Sequence, residues 1–377
     1  MKSISGNIFT PDGTFLYGEI SISGNIISDI KYEPYIDEKA DYIIPGLVDI
    51  HSHGCNGYDV CMADTKGLEA ILDYQKEHGI TSYFPTTMTL TEEALFDICK
   101  NIDFVSQNDN ALKGIYLEGP FISKDKAGSH NIDNITMPNQ SMLDRLQKAA
   151  NGLIKMVAIA PELPGAIELI EQGEYAFSIA HTAADYDIAK SAIDAGAKHV
   201  THFYNAMTPA THREPGVVGA VMDSDDTTIE LICDGIHVAP AMVRNAWKMF
   251  GKNRIVLISD SIEATGMPDG EYMLGDQKVC VKGKLATLSK NDNHDSSEKN
   301  SNITIAGSVT NLYDCMVNAV NMGIPMEAAI MAATVNPARV MGIDNTVGTL
   351  EKGKAADILV VSDKLDLKKV IQSETDI

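Results

Sequence analysis

Apolar runs of strand length recur through the middle of this chain with helix-like stretches between them, an alternation that leaves few folds open. The runs lie at 43–51, 81–87 (TSYFPTT), 114–120 (GIYLEGP), 154–162 (IKMVAIAPE), 175–182 (YAFSIAHT), 199–206 (HVTHFYNA), 228–237 (TIELICDGIH) and 254–261 (RIVLISDS). Nearly continuous apolarity marks strands buried on both faces of a parallel sheet. Helical patterns such as KGLEAILDYQKEHG, DYDIAKSAIDAGA and APAMVRNAWKMFG separate several of them. Eight strands are what a closed (β/α)8 TIM-like barrel needs, although the count also admits an open doubly wound sheet.

A barrel uses roughly 250–300 residues, so a chain of 377 carries something more. Residues 1–45 read as short strands broken at Pro11-Asp12-Gly13 and Gly24-Asn25, and the tail from 346 to 377 returns to β texture. The reading is a small composite β-sandwich domain from 1–45 plus 346–377, around a barrel at 46–345. Residues 270–306 interrupt the rhythm with a β insertion and a polar stretch, SKNDNHDSSEKNSN, read as an exposed loop with His294 solvated.

Composition narrows the function. The formal charge of 30 − 52 = −22 disfavours a nucleic-acid partner, and any anionic substrate must be met by a few local cations. The six cysteines lie far apart and form no CxxC, so reduced, buried thiols are expected. No signal-peptide core or membrane-length apolar run is found, and a soluble, cytoplasmic protein is the expectation.

The strongest signal is where ionisable residues fall. His51, His53, Glu118, His181, His202, His237 and Asp260 sit at the ends of the apolar runs. In a barrel those ends meet on one rim, where active sites of this fold lie. His51 and His53, two apart on a strand, face the same side. Imidazoles with carboxylates suit Zn²⁺ or another divalent transition metal, and Asp260 can carry a proton from activated water to a leaving group. Taken singly these residues have ordinary alternatives: a structural strand-end histidine, an N-cap or salt bridge for Glu118, an N-cap for Asp260.

These residues also carry a resemblance. PGLVDIHSHG resembles the opening of the amidohydrolase superfamily; LEGPFIS, AGSHN, AHT, THFYNAM, HREPGVVG, DGIHV and ISDS are similar to the N-acetylglucosamine-6-phosphate deacetylases. The resemblance implies Glu118, His181 and His202 as core metal ligands, His51 and His53 as ligands of a second ion, and Asp260 as general base and acid toward a metal-activated water. One or two ions, Zn or Fe, are implied. Ser129 and His130 in AGSHN, Asn205 and Ala206, His237, and the loop Ile305, Ala306 and Gly307 are implied substrate contacts. Arg213 is the implied phosphate ligand, reaching the neighbouring site of a homodimer; paired with Glu214 on the surface it would be ordinary. The implied reaction is deacetylation of an N-acetylated amino-sugar phosphate. The galactosamine epimer, another amide, and a non-catalytic scaffold that has lost its ligands are the rivals. The polar insert at 288–302 and a chain ending in SETDI depart from the family pattern.

Overall fold

The computed structural model describes residues 2–289 and 304–373. The eight predicted runs supply one eight-stranded sheet of β1 (Leu47–Ser52), β2 (Ile80–Thr87), β3 (Ile115–Phe121), β4 (Ile154–Ile159), β5 (Ala176–Ile179), β6 (His199–Val200), β7 (Thr228–Ile232) and β8 (Ile255–Ile258). Every adjacent pair is parallel and the strands lie in chain order. The sheet closes on itself: Ser52 bridges Ser261, the Asp260 N–H donates to the His51 carbonyl at 2.9 Å, and the His53 N–H to the Ser261 carbonyl at 2.7 Å. The closure excludes the open doubly wound sheet and defines a (β/α)8 barrel.

β1 and β2 are buried at every residue, which explains why their sequences do not alternate. Val48, Ile50, Phe84, Tyr116, Met156, Ala158, Ile232, Val256 and Ile258 belong to one core cluster, and the larger cluster packs the helices against the barrel. Several helices start at side-chain caps: Asp64, Thr91, Asn139, Asp185 and Asn311 each accept a backbone N–H of the first turn.

Two expectations are corrected. The run at 43–51 is not one strand. Tyr42–Pro45 joins a six-stranded sheet, lying between Lys2–Phe9 and Ile358–Val361, and only after Gly46 does β1 enter the barrel. The run at 199–206 is strand only at His199–Val200; turns follow, with Tyr204 at φ 79° and Ala206 at φ 49°, a backbone that cannot stay in a ladder. The six-stranded sheet is completed by Phe15–Ser23, Ile26–Tyr32 and Leu367–Ile371, so both chain ends build it. Gly270–Leu274, Gln277–Lys282 and Leu285–Leu288 form a separate antiparallel sheet. His294 and nearly all of the 288–302 insert lie outside the described residues, as do the last four positions.

Candidate metal centre and active site

The barrel's repeat places the polar groups. His181, His202, Asp234 and Asp260 each stand two residues beyond the last residue of β5, β6, β7 and β8, while His51 and Glu118 lie within β1 and β3. At those ends the backbone curls away from the ladder: φ is 42° at His181, 25° at His202 and 49° at Asp260. Non-glycine residues held in this region are strained, and such strain gathers at functional sites.

Two buried groups result: Glu118, His181 and His202, and His51, His53 and Asp260, the donor atoms of each within 4.8 Å of one another. His181 Nε2 lies 3.1 Å and His202 Nε2 3.0 Å from Glu118 Oε1, and the two nitrogens are 3.0 Å apart. Glu118 Oε2 is 3.1 Å from His53 Nε2, so this carboxylate stands between the groups. His53 Nε2 is 3.3 Å from Asp260 Oδ1 and 3.3 Å from His51 Nε2.

The outer ring nitrogens decide what the inner ones can do. His181 Nδ1 donates to the Lys126 carbonyl at 2.8 Å, and His53 Nδ1 to the Thr86 carbonyl at 3.2 Å. A carbonyl only accepts, so in both neutral rings Nε2 presents a lone pair. These lone pairs face carboxylate oxygens and the Nε2 atoms of His202 and His51, a repulsive arrangement that a cation resolves. The nitrogen and oxygen donors fit a divalent transition metal. Titration agrees: burial, together with the nearby His130, lowers His181 to about 4. Burial also pulls His53 down, but Asp260 and Glu118 override it and raise it to about 9, a proton standing where a cation is wanted. Asp260, despite burial that works the other way, is held below the ordinary carboxylate range chiefly by its hydrogen bond with His53.

The groups open into a cavity of about 400 Å³ lined also by Ser129, His130, Asn205, Ala206, His237, Ile305 and Gly307. Of the predicted residues, His51 sits behind this lining, Ala306 is fully buried, and Arg213 is exposed on the turn after Ala210, outside the cavity. His130 Nδ1 accepts the Thr89 N–H at 3.1 Å, which puts the ring hydrogen on Nε2, 3.3 Å from Glu118 Oε2. His237 Nδ1 is held by Asp234 Oδ2 at 2.7 Å; burial opposes charging the ring, but this bond and Asp234's charge raise its pKa. Asp234, Lys126 on the cavity wall, and a buried pair, Glu230 and His199, join the site without having stood out in the sequence. A glutamate inside the apolar run TIELI was the available signal, since a buried acid needs a partner. Burial would raise Glu230, yet His51 and His199 hold it at about 2.

Barrel, rim and donor set together define a metal-dependent hydrolase, and the chain belongs to the amidohydrolase family, whose model, Amidohydrolase family, matches residues 42–375. Within it, the chain is 34% identical to N-acetylglucosamine-6-phosphate deacetylase of Bacillus subtilis, over 94% of this chain and 91% of that one. It is 30% identical to N-acetylgalactosamine-6-phosphate deacetylase of Escherichia coli O157:H7, over 96% and 95%. Among solved structures it is similar to an Asp-to-Ala mutant of the Mycobacterium smegmatis N-acetyl-D-glucosamine-6-phosphate deacetylase in complex with N-acetyl-D-glucosamine-6-phosphate. That match has a TM-score of 0.89 at 31% identity, covering 98% of this chain and 97% of the other.

Proposed function

We propose that the chain hydrolyses the acetamide of N-acetylglucosamine 6-phosphate to glucosamine 6-phosphate and acetate. The observation that carries this is the placement of an ionised Asp260 beside converging imidazole lone pairs at the floor of a cavity of sugar-phosphate size. Glu118, His181 and His202 would hold one divalent ion, and His51 and His53, with Glu118 bridging, a second; Zn²⁺ or Fe²⁺ suits both. Such ions polarise the carbonyl and acidify the attacking water. Asp260 takes the proton from that water as its oxygen bonds to the carbonyl carbon. Asp260 then gives the proton to the nitrogen as the C–N bond breaks. The His130 Nε2–H donates to the developing oxyanion. His237, oriented by Asp234, meets the sugar. Ser129 and the Ile305–Gly307 loop, with Ala306 as its buried core, line the sugar. Asn205 and Ala206 face the phosphate. Arg213, exposed and outside its own cavity, is suited to reach the phosphate in a second copy, which makes a homodimer the proposed assembly. No helix among the described residues is long and apolar enough to cross a membrane, and we place the enzyme in the cytoplasm.

The galactosamine epimer is the second reading, supported by the relative that carries that name. Acetate release from the gluco phosphate, the galacto phosphate and unphosphorylated N-acetylglucosamine, before and after chelation, separates them. Chelator-sensitive turnover of the gluco phosphate is expected. Turnover of the galacto phosphate alone would exchange the substrate and keep the mechanism. Release that is unchanged by exhaustive chelation would overturn the metal-dependent reading.

A further inference from the structure

We propose that Glu230, backed by His199, is a positioning residue that fixes the tautomer of His51 and ties the two metal-binding groups to one frame. Glu230 lies in β7, is fully buried and does not reach the cavity, so it cannot touch a substrate. Its Oε2 accepts from His51 Nδ1 at 2.9 Å and from the His202 backbone N–H at 3.0 Å. Its Oε1 is 3.1 Å from His199 Nε2, whose other ring nitrogen is 2.6 Å from Thr228 Oγ1. One carboxylate therefore holds the side chain of a member of one group and the backbone of a member of the other. Its own carbonyl accepts the Phe203 N–H at 2.9 Å, pinning the turn that carries His202 a second time.

The chemistry follows from what a carboxylate can do. An ionised Glu230 only accepts, so the hydrogen of a neutral His51 stays on Nδ1 and the Nε2 lone pair faces the centre. A carboxylate behind a ligand histidine also raises the ring's basicity, and losing such a partner costs about tenfold to a hundredfold in metal affinity. His199 gives the buried charge a second partner, which keeps it ionised while His51 is neutral. A glutamine at 230 cannot replace it. Its amide oxygen can still accept from the His202 N–H and His51 Nδ1, but the NH₂ then faces His199 Nε2 and drives that ring's hydrogen onto Nδ1 toward Thr228 Oγ1, and the negative charge behind His51 that raises its basicity is gone.

The inference rests on the two-ion reading above and not on the identity of the substrate. Full-length wild type, Glu230→Gln, His51→Ala and the double variant are equilibrated with Zn²⁺ at buffered free concentrations, and ions per chain are counted by mass spectrometry. The wild type is expected to hold two ions. Glu230→Gln should weaken the His51/His53 position about tenfold or more, leaving the Glu118/His181/His202 position near wild-type occupancy. His51→Ala should weaken the same position, and Glu230→Gln should add nothing in its background, because the two act through one contact. If Glu230→Gln does not fold, His199→Gln carries the test, with a smaller loss at the same position expected. Two ions at unchanged affinity, losses that add in the double variant, or a wild type with a single ion would each overturn the proposal. Acetate release is read separately: a wild type that loads two ions, loses one on Glu230→Gln, yet never turns over sinks the substrate reading alone.

Discussion

Asp260→Asn removes the proton acceptor while keeping the residue's size. The protein should fold and retain most of its bound metal, and kcat for acetate release should fall about 10²–10⁴-fold; turnover within a few-fold of wild type would end the general-base role. A second single-residue effect lies outside the chemistry. Asp59 accepts the Cys61 N–H at 2.7 Å and the Gly275 N–H at 2.8 Å, and burial raises it to about 6. With the folded pKa above the unfolded one, the folded state holds the proton more tightly. That contribution is complete below about pH 4 and is lost as pH rises through about 6. Urea unfolding at pH 4.5 and pH 7.5 should show the advantage of wild type over Asp59→Asn shrinking at the higher pH by about 2 kcal/mol; a constant gap would refute it. Residues of the first kind were legible because they end apolar runs. Glu230 and His199 were not, since they lie 31 positions apart in sequence and become partners only when β6 and β7 pair side by side.

At the scale of elements, Gly46 decides where one sheet stops and the next begins. A Cβ there would stand 2.1 Å from Thr81 Oγ1, on the strand neighbouring β1. Gly46→Ala should destabilise the fold by about 1–3 kcal/mol through overpacking, read as a lower urea midpoint. Unchanged stability would mean that the two sheets can slide apart at no cost. The same glycine explains a limit on reading strands from hydropathy. YIIPGLVDI is apolar throughout because both its halves are buried, one in each sheet, and burial alone carries no mark of the change of partner. The overlong run at 199–206 fails for the opposite reason: left-handed backbone at three of its residues, none a glycine, leaves no sign in composition. The stretch from 270 to 288 forms three antiparallel strands.

For the whole molecule, the proposed dimer gives a test that neither chain can pass alone. Arg213→Ala should raise KM for the phosphorylated sugar at least tenfold, with kcat changed far less, since a lost bidentate phosphate grip costs binding. If Arg213 serves the neighbouring site, co-assembled Arg213→Ala and Asp260→Asn chains regain one intact site per mixed dimer. Recovery of activity on co-assembly supports the exchange, and none refutes it. The closure of β8 onto β1 has a temporal consequence as well. The six candidate ligands come from β1, β3, β5, β6 and β8, and the outer sheet pairs Tyr42–Pro45 with Ile358–Val361. During synthesis the ribosome releases these pieces in order, and the seam between the first and last strands is among the most distant pairings in the chain. An emerging polypeptide therefore has histidines long before it has a pocket, and cofactor loading becomes a late checkpoint of maturation, open to whichever ion the cell supplies when the last strand docks.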